Sequence, residues 1–134
     1  MRRILWLATV ATALAACAAG PGGPTNSPYS VSVRNFTTIP IAIAVNGTVL
    51  EAVPAGTVED PIKAPLPPRP WEVEARSPSG RVLATMTVGP NDSLSYNEGR
   101  AGMADLACGR VVIWTGNPMT GGPTFVPDPS KPCD

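Results

Sequence analysis

Ile41-Ala42-Ile43-Ala44-Val45-Asn46-Gly47-Thr48-Val49-Leu50-Glu51-Ala52-Val53 is the stretch whose reading decides the fold. Ile39, Ile41, Ile43 and Val45 recur at every second position, so an extended chain here carries one strongly apolar face. Thr48 to Val53 is a second run rich in β-branched residues. Asn46-Gly47 between them is the strongest short-range hairpin signal, because both central positions of a type I′ turn need positive φ. Pro40 has no N–H to give to a ladder, so the first strand starts there or lies at an edge.

The same alternation continues on both sides. Upstream, Tyr29 to Phe36 alternates apolar and polar residues and predicts a half-buried strand. Downstream, Pro54-Ala55-Gly56 turns, and Thr57 to Ile62 is a short strand interrupted by Pro61. Ala64-Pro65-Leu66-Pro67-Pro68-Arg69-Pro70 has too few amide donors for a ladder and reads as an extended, polyproline-like surface segment. Trp71 to Arg76 puts Trp71, Val73 and Ala75 on one face and its charges on the other. Ser77-Pro78-Ser79-Gly80 is a tight turn, and Arg81 to Val88 pairs back, so 71–88 is a second hairpin. Gly89 to Asp92 turns again, Ser93 to Asn97 is a short strand, and Glu98 to Met103 is a loop. Leu106 to Thr115 is a strong strand with Trp114 expected in the core, and the chain beyond Gly116 is loop. About seven strands, with no convincing helix after residue 16, predict an all-β immunoglobulin-like sandwich. A five- or six-stranded barrel is the alternative. The immunoglobulin Cys…Trp…Cys spacing is absent.

The N-terminus has a different character. Arg2-Arg3 precede an apolar run, Ile4 to Ala16, that is shorter than the roughly 20 residues a membrane span needs. A basic start, a short apolar run and small residues before a cleavage point make a secretory signal. Leu14-Ala15-Ala16-Cys17 resembles the lipobox of bacterial lipoproteins. The resemblance implies cleavage before Cys17, a diacylglycerol on its sulfur, and attachment to the extracytoplasmic side of a membrane. Ala18 is not the aspartate that this family associates with inner-membrane retention, which implies the outer membrane in a diderm cell. Pro70-Trp71-Glu72-Val73-Glu74-Ala75-Arg76-Ser77-Pro78-Ser79-Gly80-Arg81 and Asp105-Leu106-Ala107-Cys108-Gly109-Arg110 resemble segments of small bacterial envelope proteins, which implies no activity. The expected organisation is a signal peptide (1–16), a lipidated Cys and Gly/Pro-rich tether (17–28), and one β domain with a Pro/Gly-rich tail (29–134). With Cys17 assigned to lipid, Cys108 and Cys133 remain as an even pair in an oxidising compartment, and a disulfide is expected. Its loop of about 25 residues would stabilise by roughly 3–3.5 kcal/mol in the chain-entropy view.

Composition narrows the chemistry. Ten basic residues balance ten acidic ones, and loss of Arg2 and Arg3 leaves the mature chain slightly acidic, which argues against nucleic acid as a partner. The chain contains no His, which removes Ser-His-Asp and Cys-His nucleophile systems and most zinc sites. No Gly-rich loop opens a helix to cradle phosphate. Glu72/Glu74 and Glu59-Asp60 are the available carboxylate pairs. They read as the wet face of a strand and an exposed loop rather than as a glycosidase pair or a calcium site. Asn91-Asp92-Ser93 reads as an Asx-type turn. Asn35-Phe36-Thr37, Asn46-Gly47-Thr48 and Asn91-Asp92-Ser93 match the N-glycosylation sequon by chance, given the bacterial signal. No catalytic residue, metal or cofactor is expected.

The segment Pro65–Trp71 is the candidate for contact with a partner, with Arg69 as its cation and Trp71 as its aromatic anchor. The competing reading makes it a crossover between sheets, with Trp71 plugging the core. The expected function is non-enzymatic: a lipid-anchored envelope protein presenting a β-sandwich to another envelope component, or filling an accessory structural role. The alternative is a carrier of a small apolar ligand in a barrel cavity.

Overall fold

The computed structural model describes residues 29–94, 98–116 and 124–134. The expected signal peptide (1–16) and tether (17–28), including Cys17, lie outside the described residues. Eight strands form: β1 (Val31–Asn35), β2 (Ile41–Val45), β3 (Thr48–Val53), β4 (Thr57–Pro61), β5 (Trp71–Arg76), β6 (Val82–Val88), β7 (Ala101–Leu106) and β8 (Gly109–Thr115). They make two antiparallel four-stranded sheets, ordered β4-β1-β8-β7 and β3-β2-β5-β6. Neither sheet closes on itself, so the fold is a sandwich and not a barrel. No helix occurs among the described residues.

The hairpin expected at Asn46-Gly47 is present. Val45 faces Thr48, and the two turn residues have φ of 50° and 80°. Leu50 is an extra residue in β3, because Ile43 pairs with Glu51 while Ala44 pairs with Val49. The second hairpin also follows its sequence: the Gly80 amide donates to the Ser77 carbonyl at 2.9 Å and Gly80 has a φ of 90°. Pro61 is tolerated because β4 is an edge strand.

The apolar alternation of each strand points between the sheets. Val31 and Val33, Ile41, Ile43 and Val45, Trp71, Val73 and Ala75, Met86 and Val88, and Val111 and Ile113 form one buried cluster. Each large side chain in it contributes roughly 1.5–3 kcal/mol by leaving water.

Four expectations need correction. Leu106–Thr115 is not one strand: Ala107-Cys108 is a two-residue turn, and Ala101 to Met103, part of the expected loop, joins Leu106 in strand β7. The turn was hidden by the apolar run around it. Its signal is Gly109, whose φ is 139° and whose missing Cβ would stand 2.0 Å from the Phe36 carbonyl oxygen. Ser93 and Leu94 are outside any strand, and residues 95–97 lie outside the described ones. Glu59 and Asp60 sit in β4, within the short strand expected over Thr57 to Ile62, and not in the exposed loop that their reading as a carboxylate pair assumed. Trp114 is buried but stands on the outer face of its sheet, since Val111 and Ile113 take the inner positions of β8.

Five polar residues are buried among the described ones, Ser32, Asn35, Thr37, Ser77 and Thr115, and Asn35 makes the most side-chain bonds of them. Asn35 ends β1, pointing inward, with no exposed surface. Its Nδ2 donates to the carbonyls of Ile39 (2.9 Å), Val53 (3.2 Å) and Pro54 (3.0 Å). Its Oδ1 accepts from the Thr37 amide (3.1 Å) and the Thr37 hydroxyl (2.6 Å). The residue thus ties together the β1–β2 and β3–β4 crossings between sheets, and the apparent sequon there is a structural hub.

Candidate functional site

The crossing from β4 to β5 is the proline segment. Four prolines between residues 65 and 70 withhold amide donors, so the segment cannot join a sheet and must be fastened by other means. The Ile62 amide donates to the Val31 carbonyl at 2.8 Å, and the Lys63 amide to Glu51 Oε2 at 2.9 Å. Trp71 is 2 % exposed, inside the core, and its indole N–H donates to the Pro67 carbonyl at 2.7 Å. Asn46 Nδ2 donates to the Pro70 carbonyl at 3.1 Å, while the Glu72 amide donates to Asn46 Oδ1 at 2.8 Å. Arg69 Nη1 donates to the Asp92 carbonyl at 2.6 Å, and its guanidinium lies 5.4 Å from the Tyr29 ring centroid. Arg69 and Trp71, singled out as a contact pair, are therefore both engaged within the domain. The segment is the crossover that the competing reading described.

What the fastened strap leaves open is a groove. About 340 Å³ lie between it and the β2–β3 hairpin, with Val45, Leu50, Pro65, Leu66 and Pro67 as the apolar lining and Asn46 and Thr48 as the polar one. The groove was not legible from sequence, because it needs the bulge residue Leu50 brought beside Leu66 by tertiary packing. Leu66 was the available hint: an apolar residue among prolines has no strand face to join.

At the other end of the sandwich, Cys108 and Cys133 form the expected disulfide, with Cα atoms 6.0 Å apart. The tail is also held by hydrogen bonds from the Ala107 amide to the Lys131 carbonyl (3.0 Å) and from the Ser79 amide to Asp134 Oδ1 (2.9 Å). Arg110 pairs with Asp105, Nη2 to Oδ2 at 2.8 Å, and its guanidinium stands 5.7 Å from the Phe125 ring centroid. Hydrogen bonding from Arg110 holds the Asp105 carboxyl below its ordinary value, and the same contact raises the guanidinium. Bonds from Ser130 lower Asp128, and bonds from Ser77 and Ser79 lower Asp134. Asp92 is lowered by the Gly89 amide first (2.7 Å to Oδ2) and then by Arg100, as the turn reading of residues 89–92 implies.

These perturbed carboxyls are scattered, each satisfied by a local structural partner. Glu74 is taken by Arg76, and Glu72 stands exposed beside it on the strand. Among the described residues, no three His, Cys, Asp or Glu side chains group to hold a metal ion. No family model, curated protein or solved structure matches this chain.

Proposed function

We propose that this protein is a lipid-anchored component of a bacterial cell envelope whose β-sandwich binds another envelope protein. The observation carrying the binding role is the apolar groove beside the strap. Tyr29, the first described residue, packs under Arg69 of that strap, so it and the groove share one end of the sandwich. The anchor rests on Arg2-Arg3, the apolar run and Leu14-Ala15-Ala16-Cys17, and the disulfide fits an oxidising compartment. The non-enzymatic role is supported by a chain without His and by carboxylates spent on structural partners.

Two measurements test this reading. Metabolic labelling with a palmitate analogue should mark the wild type and not Cys17→Ala; label surviving that substitution overturns the anchor. A photo-crosslinking residue at Leu66 in intact cells should trap one discrete protein, and the same probe at exposed Thr85 should not. Identical products from both positions remove the groove from the argument. The groove's volume also falls in the range of small-molecule sites, which favours a carrier of a small apolar ligand as the second reading. Native mass spectrometry of the purified protein, showing a retained apolar molecule lost on Leu66→Asp, would select it.

A further inference from the structure

Two open sheets leave four edge strands, and an edge strand carries N–H and C=O groups with no neighbouring strand. Three of these edges are blunted. Gly102 of β7 stands so close to β6 that a Cβ there would lie 2.0 Å from the Thr85 carbonyl oxygen, so these two edges close on each other. β4 carries Pro61 and the carboxylates of Glu59 and Asp60. β3 has neither proline nor lysine, and Thr48, Val49 (55 % exposed) and Ala52 stand open along it. Among the described residues, β3 pairs with β2 alone.

The bulge in β3 shapes what lies beside this edge. Val49 faces Ala44 on the outer side of the sheet, while Glu51 faces Ile43 on the inner side. Leu50, the extra residue between them, packs against the core, so two successive side chains turn inward. Thr48, opposite Val45, is on the inner side as well. Val45, Thr48 and Leu50 thus line the groove from one side, and Pro65, Leu66 and Pro67 line it from the other. A strand laid along β3 continues the sheet and sends every second side chain toward that space of about 340 Å³.

Charge narrows the occupant. Glu51 Oε2 accepts from the Lys63 amide at 2.9 Å, and Asp60 Oδ1 lies 3.6 Å from the Lys63 ammonium. Glu59 stands exposed beside Asp60. Three carboxylates against one cation leave this side of the sandwich acidic. An incoming strand with a basic residue complements it, and an acidic strand is repelled.

We infer that the β3 edge takes up an extended segment of a partner protein by strand addition, with aliphatic side chains in the groove and a basic residue toward Glu51 and Asp60. Main-chain hydrogen bonds supply the affinity and the alternate side chains the specificity. This rests on the reading of the groove as a protein-binding site, whose occupant it specifies, and it is independent of the anchor.

The probe is a capped hexapeptide that alternates valine with threonine, one threonine being replaced by lysine. It is titrated into the ¹⁵N-labelled full-length chain in detergent micelles. The amide resonances of Val49, Ala52 and Leu66 should shift saturably, while the core Trp71 indole stays still. Exchange of the β3 amides that face away from β2 should slow. An analogue N-methylated along the edge facing β3 keeps its side chains and cannot donate; it should bind about tenfold more weakly, as the loss of roughly two hydrogen bonds implies. Glutamate in place of the lysine should weaken binding about threefold or more at low salt. Leu66→Asp should abolish binding, and Thr48→Lys, at an exposed position, should weaken it with the spectrum otherwise unchanged. Equal binding of the N-methylated or the glutamate peptide, or shifts at β4 or β6 in place of β3, overturns the inference. Crosslinks from Leu66 in cells that persist while the hexapeptide leaves the β3 amides unprotected reject strand addition and leave the groove reading standing; loss of both ends the groove reading too. Shifts at β3 that grow with protein concentration and without peptide assign the edge to a second copy of the chain and overturn the partner segment.

Discussion

Replacing Asn35 by Ala should be among the costliest single changes in the domain. The two Nδ2 protons serve three carbonyl oxygens, and Oδ1 serves the amide and hydroxyl of Thr37. Alanine removes all five contacts. The Thr37 amide is then left buried without its partner, at about 1–3 kcal/mol, and the Val53 carbonyl loses its side-chain donor, at about 0.5–1.5 kcal/mol. The Ile39 and Pro54 carbonyls sit nearer water and can be partly resolvated, and the Thr37 hydroxyl keeps its bond to the Ile39 carbonyl. The sum is about 1.5–4.5 kcal/mol, a large share of the ~5–15 kcal/mol typical of a domain. Asn35→Asp sharpens the argument. A buried carboxylate would face three carbonyl oxygens, so at pH 7 it should cost more than alanine. Burial raises that carboxyl's folded pKa above its unfolded value, so its penalty is present at high pH and relieved as pH falls through the raised value. Urea unfolding followed by circular dichroism at pH 7 and pH 5, with the disulfide intact, measures both variants. An alanine cost under about 1 kcal/mol, or an aspartate variant as stable as alanine at pH 7, refutes the reasoning.

Three further outcomes follow from named contacts. Cys133→Ser should lower stability by about 3 kcal/mol, read as a drop in Tm, since the bridge closes a separation of 25 residues; a change under about 1 kcal/mol would show the tail already held by its hydrogen bonds. Gly109→Ala should be destabilising by several kcal/mol, because its Cβ would meet the Phe36 carbonyl oxygen at 2.0 Å in a conformation that side chains rarely adopt; Gly47→Ala, with open space around it, should cost only the φ strain. Acid should loosen the tail end first. Asp105, Asp128 and Asp134 have carboxyls below the ordinary 3.8, so their stabilisation is complete above that value and is lost as pH falls through the lowered ones. Amide exchange of Ala107 and Ser79 should rise in that window before exchange in β2 and β5, and uniform exchange across the sandwich would count against it.

Local covalent constraints made much of this protein readable in order of residues. Positive φ at Asn46-Gly47 and at Gly80, the ring of each proline, and the period-2 return of Ile and Val act within a few residues. Two hairpins, the all-β class, the inward set at Trp71, Val73 and Ala75, and the Cys108–Cys133 pair were therefore available from sequence. Tertiary structure decided what depends on which face meets which. Trp114 looks like core in an apolar run, yet the register of β8 against β1 turns it outward, beneath Arg34. Asn35 resembles a surface sequon until the two crossings converge on it. Arg69 and Trp71, read in sequence as a contact pair, take on a second task that only the fold shows, fastening the strap through Asp92 and Pro67. The groove at Leu66 exists only because distant segments pack together, and a linear pattern carries no record of such distances.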